Sequence, residues 1–178
     1  MTNELCKANT NRFGAAFFEQ HILLNEQYSH RLADVLGADK EILSLAAYLH
    51  DIAAISDFNT LADHHMIGAE KARQILKTKG YSEATILRVQ KCIENHSTPL
   101  APEEGSQEEV CFSNADAITQ IVNPVYWLYY AYNVRGFSYE EGKTWYYNRV
   151  TSHWEKLIAP AKEMIAAEYH CILEMLLR

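Results

Sequence analysis

The chain lacks any apolar run that approaches the length needed to span a bilayer, so no membrane partner is expected. It lacks paired cysteines. Cys6, Cys92, Cys111 and Cys171 are scattered with no CxxC spacing, which argues against structural zinc held by thiolates. It lacks an excess of basic charge: 16 Lys and Arg stand against 23 Asp and Glu, for a net charge of -7. That balance is the reverse of a nonspecific nucleic-acid binder, so no nucleic-acid partner is expected. A phosphorylated substrate stays open, because bound metals supply positive charge locally. The polar start Met1-Thr2-Asn3-Glu4-Leu5-Cys6-Lys7 has no apolar segment behind it and does not read as a secretory leader. A reducing cytoplasm is the expected compartment, where disulfides are not expected. Finally, no segment alternates polar and apolar residues as a strand would, and no repeat, low-complexity tract or linker interrupts the chain.

What is present reads as helix after helix. At 178 residues the chain fits one domain with a sizeable core. Apolar residues recur at helical spacing from about Phe13 to Leu36, with Gly37 as a stop. Asp39 caps a helix running to about Asp51. Asp57 to Leu61 reads as a turn, and Ala62 to Lys79 as a helix stopped by Gly80. Ser82 caps a helix to His96. Ser97 to Gly105, with Pro99 and Pro102, is the clearest loop. A helix over about Glu108 to Ile121 follows. Pro124 opens another with Asn123 as its cap, Ser138 to Glu141 forms a capping box for a helix to about Leu157, and Pro160 opens the last. The fold class is all-α, a compact helical bundle rather than a coiled coil.

The chemistry gathers around Leu45-Ala46-Ala47-Tyr48-Leu49-His50-Asp51-Ile52, which ends an apolar helical run in a His–Asp doublet. A neighbouring imidazole and carboxylate suit a divalent ion such as Mn, Fe, Zn or Mg. His21 lies upstream, and His64, His96 and Asp116 lie downstream. Six potential ligands exceed the needs of one closed site, so two metals are expected.

These residues resemble the HD superfamily of metal-dependent phosphohydrolases. His21-Ile22 with Tyr28 and Leu32-Ala33 resembles its first-histidine helix, and the His50-Asp51 segment follows in order. His64-His65-Met66-Ile67-Gly68-Ala69-Glu70 resembles the family's H-x-x-x-G-A segment, and Ile93-Glu94-Asn95-His96 its I-x-x-H segment. Asn114-Ala115-Asp116-Ala117 resembles the D-A-D segment, with Asn in place of the first Asp. The resemblance covers about residues 15 to 120, the expected metal-binding core. Helices over about 124 to 178 would complete a single HD-type domain.

The resemblance implies roles. His21, His50, Asp51 and Asp116 would hold a first metal; His64 and His96, with Asp51 bridging, would hold a second. Asp51 and His50 are the residues assigned to catalysis. The implied reaction is attack of metal-activated hydroxide on the phosphorus of a small phosphorylated substrate, a nucleotide or nucleotide derivative being expected. Two other readings use the same ligands: an HD-fold di-iron oxygenase, and a non-catalytic metal-stabilised binding module.

Other residues have plainer readings. His30, nine positions after His21, points to the opposite helical face and is expected to pack or face solvent. His65 is about 100° away from His64 on a helix, so only one of them points inward, and the spacing to Gly68 favours His64. Asp57 is expected to cap a helix, Lys71 to lie on a solvated face, and His153 and His170 to be structural or exposed. Arg149 is a minor candidate for a phosphate contact. The aromatic-rich segment from Tyr126 to Trp154 is expected mainly to pack, covering an open side of the bundle or forming a homodimer interface. One or two rings at a pocket mouth, where they could stack a nucleobase, fit either view.

Overall fold

The computed structural model describes residues 1–178 and contains helices and no strand. After α1 (Thr2–Cys6), a single π-helical turn, Phe18–Ile22, runs directly into α2 (Leu23–Leu36). Then come α3 (Lys40–Leu49), α4 (Ile52–Ser56), a 3-10 segment Phe58–Asp63, α5 (His64–Thr78) and α6 (Glu83–Glu94). The second half holds α7 (Gln107–Val122), α8 (Pro124–Tyr129), a π-helical turn Tyr130–Val134, α9 (Tyr139–Lys156) and α10 (Ala159–Leu177).

Helix α7 is the axle. It packs against α2, α3, α6, α9 and α10, and every residue from Glu109 to Ile121 is buried. A helix buried on all sides is normally apolar all round. This one carries Ser113, Asn114, Asp116, Thr119 and Gln120 inside, so each polar group needs a partner. The apolar core is one cluster of 39 buried residues, running from Cys6 in α1 to Leu176 in α10. Packing rather than propensity holds the shorter helices. In α3, Ile42, Leu43 and Leu49 are buried beside Ala46 and Ala47, and each large aliphatic side chain contributes about 2 kcal/mol of burial energy.

The expected caps at Asp39, Ser82 and Ser138 form, and Ser106 adds an unexpected one. Asp39 accepts from the Glu41 N–H, Ser82 from the Thr85 N–H, and Ser106 and Ser138 each form a full capping box. Gly37 ends α2 with φ 79°, a left-handed conformation that glycine adopts without a Cβ penalty. Asp57 caps the 3-10 segment by accepting from the Asn59 N–H.

Two boundaries differ from expectation. The first long helix begins at Phe18, not Phe13. Asn11 competes with helix formation there: its amide donates to the Cys6 and Gly14 carbonyls and its oxygen accepts from the Phe13 N–H. The third helix stops at Leu49, so the His–Asp doublet leaves it. Asp51 has φ -95° and ψ 10°, in the sparsely populated bridge region where many active-site residues sit. Asn123 also precedes α8 without capping it; its amide donates instead to the Gln20 carbonyl and side chain.

Candidate metal centre

Five elements bring six side chains together. His21 comes from the π-helical turn before α2, and such turns recur at functional sites. His50 and Asp51 come from the break after α3, His64 from the first turn of α5, His96 from just beyond α6, and Asp116 from α7. His21, His50 and Asp51 offer ligand atoms within 4.8 Å of one another, and so do Asp51, His64 and His96. Asp51 is common to both groups. Its Oδ2 lies 3.2 Å from His21 Nε2 and 3.0 Å from His50 Nε2, while its Oδ1 lies 3.4 Å from His64 Nε2. Asp116 Oδ1 closes the first group at 3.2 Å from His21 Nε2 and 3.7 Å from His50 Nε2.

The donor set fits divalent metal, and the histidine tautomers show why. His50, His64 and His96 each turn Nδ1 onto a backbone carbonyl: Ala47 at 2.9 Å, Leu61 at 2.8 Å and Ile93 at 2.6 Å. A carbonyl only accepts, so Nδ1 carries the proton. His21 Nδ1 meets Thr119 Oγ1 at 2.8 Å, and that hydroxyl already donates to the Asp116 carbonyl at 2.7 Å. It must therefore accept from His21. All four imidazoles thus direct Nε2 inward. His21 and His50 face each other at 3.0 Å through Nε2, and His64 and His96 at 3.1 Å. Lone pairs so close repel unless a cation or proton is shared between them. Ring N–H groups fixed by carbonyls are the usual support of metal-binding histidines.

Charge reinforces the geometry. Burial alone would depress the His21 pKa, but hydrogen bonds to Asp116 and Asp51 outweigh it and raise it to about 9. Burial would raise Asp51, yet His50 and His21 hold it well below the ordinary carboxylate range. Asp116 is lowered in the same way, chiefly by His21. His96 is pushed down to about 4 by burial and by His50. Without metal, the cluster keeps a proton on His21 and two ionised carboxylates.

Asn25, missed in the sequence reading, steadies this arrangement. Its amide donates to Asp116 Oδ1 at 3.2 Å, and its oxygen accepts from Ser29 at 3.0 Å. The signal was there: His21, Asn25 and Ser29 repeat every four residues, and all three are buried. The Asn114 departure also has a structural cause. Its buried amide donates to the Leu100 and Val110 carbonyls at 2.9 Å each, and its oxygen accepts from the Ile158 N–H at 3.1 Å.

The cluster lies in a cavity of about 310 Å³. Aromatic rings from Phe13, Phe17, Trp127, Tyr130 and Trp145 line it, together with Gln120, Arg149 and His153. Trp145, Arg149 and His153 repeat every four residues, so α9 presents one stripe to the cavity. His153 therefore lines the site rather than serving only the scaffold or the surface, and burial beside Arg149 pushes its pKa down to about 4. Most other rings of the segment pack, as expected: Tyr146 is fully buried and Trp154 stacks on Tyr169 at 3.8 Å. His64, not His65, joins the cluster. His30 bonds Ser44 at 2.9 Å and packs α2 on α3.

A family model described as HD domain matches residues 18–121, more than half of the chain. No curated protein and no solved structure matches the chain. No helix is long and apolar enough to cross a membrane. The matched span contains all six clustered residues, on an all-helical fold. The chain belongs to the HD domain family, whose members are mostly metal-dependent hydrolases.

Proposed function

We propose that the protein is a dinuclear metal phosphohydrolase acting on a small phosphorylated compound of nucleotide size. The observation that carries this reading is the placement of Asp51, whose two oxygens face different histidine pairs. Asp51 is the one residue that both groups would share in holding divalent ions. In this reading His21, His50, Asp51 and Asp116 hold one ion, and Asp51, His64 and His96 hold the other. Ions held there would acidify a water and polarise phosphoryl oxygens.

The chain's own residues supply the rest. The carbonyls behind His50, His64 and His96, and Thr119 behind His21, keep each ring in the binding tautomer. Asn25 holds Asp116 in orientation. The cavity is at the small end of ligand pockets, which suits a mononucleotide-sized substrate better than a polymer. Its aromatic wall offers a face on which a base can stack. Helices α8 and α9 complete the site beyond the span of the family match, so in this reading the chain works as one domain.

The test is release of phosphate or nucleoside from a panel of nucleotides and dinucleotides. The protein is prepared without oxygen and loaded with Mn²⁺ or Fe²⁺, beside Asp51→Ala. Turnover abolished by Asp51→Ala is the expected result. Loaded protein that hydrolyses nothing on the panel would sink the reading, and substrate-dependent oxygen consumption would replace it with an oxygenase.

A further inference from the structure

Arg149 is a cation with no counter-ion. No carboxylate lies within 4 Å of it, although every other close charge pair in the cavity involves the His/Asp cluster. Its guanidinium sits over the Trp127 ring at 4.8 Å and the Trp145 ring at 5.3 Å. Nε donates to Gln120 Oε1 at 3.0 Å, and Nη2 donates to the same oxygen. That uses two of the five N–H donors of the fork. Nη1 has no acceptor in the protein, yet no buried side-chain atom is left unpartnered, so Nη1 opens onto the cavity that Arg149 lines.

The position is as telling as the spare donors. Gln120 follows Asp116 by one turn of α7, a rise of about 6 Å along one face. Gln120 thus holds the guanidinium in the cavity that Asp116 also lines. Burial depresses the Arg149 pKa and the charges of Asp116 and Asp51 partly restore it, so the three groups feel one another across the cavity. Two divalent ions at the cluster would more than cancel those two carboxylates. Arg149 and the exposed Arg135 would then face a strongly positive cavity inside a chain of net charge -7. A planar fork with free donors, stacked on rings and held by Gln120, suits bidentate recognition of phosphate.

We propose that Arg149 is the anion-recognition group of this cavity, binding the outer oxygens of the phosphoryl group whose other oxygens face the His/Asp cluster. Gln120, Trp127 and Trp145 are its positioning residues. The proposal rests on the phosphohydrolase reading for the identity of the anion. Its binding test does not depend on turnover.

Inorganic phosphate is titrated into Mn²⁺-loaded protein, followed by calorimetry and by the fluorescence of the flanking tryptophans. Arg149→Gln is expected to raise the Kd for phosphate at least tenfold with metal content unchanged. Arg149→Lys is expected to recover only part of this, because a point charge replaces the fork. Arg135→Gln removes the same charge at the cavity mouth and is expected to change the Kd less than threefold. Should Arg149→Gln fail to fold, Gln120→Glu engages the guanidinium with a carboxylate and is expected to weaken phosphate comparably. An unchanged Kd in the folded Arg149→Gln protein, or in Gln120→Glu, overturns the proposal. So does an equal loss in Arg135→Gln, which would show a long-range charge effect. Arg149-dependent phosphate binding without any turnover would leave this assignment standing and remove the hydrolase reading. Turnover with a phosphate Kd indifferent to Arg149 would do the reverse.

Discussion

Gly68 lies against the backbone carbonyl of His50, so close that a β-carbon on it would stand 2.6 Å from that oxygen. The contact presses α5, which begins with His64, onto the turn that presents His50 and Asp51. It joins the helix that carries His64 to the turn that carries His50 and Asp51.

Gly68→Ala is therefore expected to damage the site as well as the fold. Backbone must move, since the obstacle is a carbonyl rather than a flexible side-chain end. Overpacking of this kind costs about 1–3 kcal/mol. Thermal unfolding and metal content measured on one preparation check it. A lowered Tm together with loss of bound metal is expected. Full stability and full metal loading would show that α5 can shift freely against the turn.

Asn114→Asp tests why this chain departs from the motif it resembles. The amide is fully buried and donates to two carbonyls. A carboxylate there would face the Leu100 and Val110 oxygens with no donor. A neutral group left so costs about 1–3 kcal/mol, and a charged one more. Protonation would relieve it, so the loss should be larger at pH 7 than at pH 4. Urea unfolding at the two pH values reads the difference. Asn114 faces the 97–105 loop and the α9–α10 junction rather than the cluster, so metal content should hold.

These two residues show what the sequence could and could not convey. The order of His21, His50-Asp51, His64, His96 and Asp116 was legible because each falls in a spaced local motif, and the helices were legible from apolar period and caps. The break at His50 and the π-helical turn at His21 were not, since both come from tertiary packing overriding local helix propensity. Thr119 hides among polar residues that look solvated until α7 proves buried on every side, whereas Asn25 shares the four-residue spacing of His21 and Ser29. His153 and Arg149 join the cavity only because α9 packs along α7, which no local pattern states.

Thr119→Val isolates one such hidden support. The swap keeps the shape but removes the acceptor for His21 Nδ1–H. It also removes the donor to the Asp116 carbonyl. His21 can then take either tautomer, and its ring loses the one partner that holds Nδ1. Losing a support of this kind lowers metal affinity about 10–100-fold. Competition with a metallochromic chelator measures it. An affinity equal to the parent protein's would mean that the π-helical turn alone aims His21.

The pH dependence of the metal-free protein follows from three imidazoles. His96 and His153 have pKa values lowered to about 4 from an ordinary 6.5, chiefly by burial. Unfolding lets each take up a proton at the ordinary value, so stability falls as pH drops from 6.5 toward 4. The lowered Asp51 and Asp116 carboxylates extend that loss below the ordinary carboxylate range. His21 acts in the opposite direction. Burial opposes its proton, but Asp116 and Asp51 raise it to about 9. Its contribution is complete below 6.5 and is lost as pH rises through 9. The metal-free protein should therefore be most stable near pH 6.5, with Tm falling on both sides. Metal loading displaces the proton from His21, because a ligating imidazole must be neutral. The loaded protein should lose the alkaline fall, and loading at pH 7.5 should release about one proton from this residue. Unfolding curves across pH, with and without metal, and calorimetry in two buffers of different ionisation heat test both halves. A metal-free Tm that climbs steadily from pH 6.5 to 9 would show that His21 is neutral in the cluster, and that Asp51 and Asp116 do not share its proton.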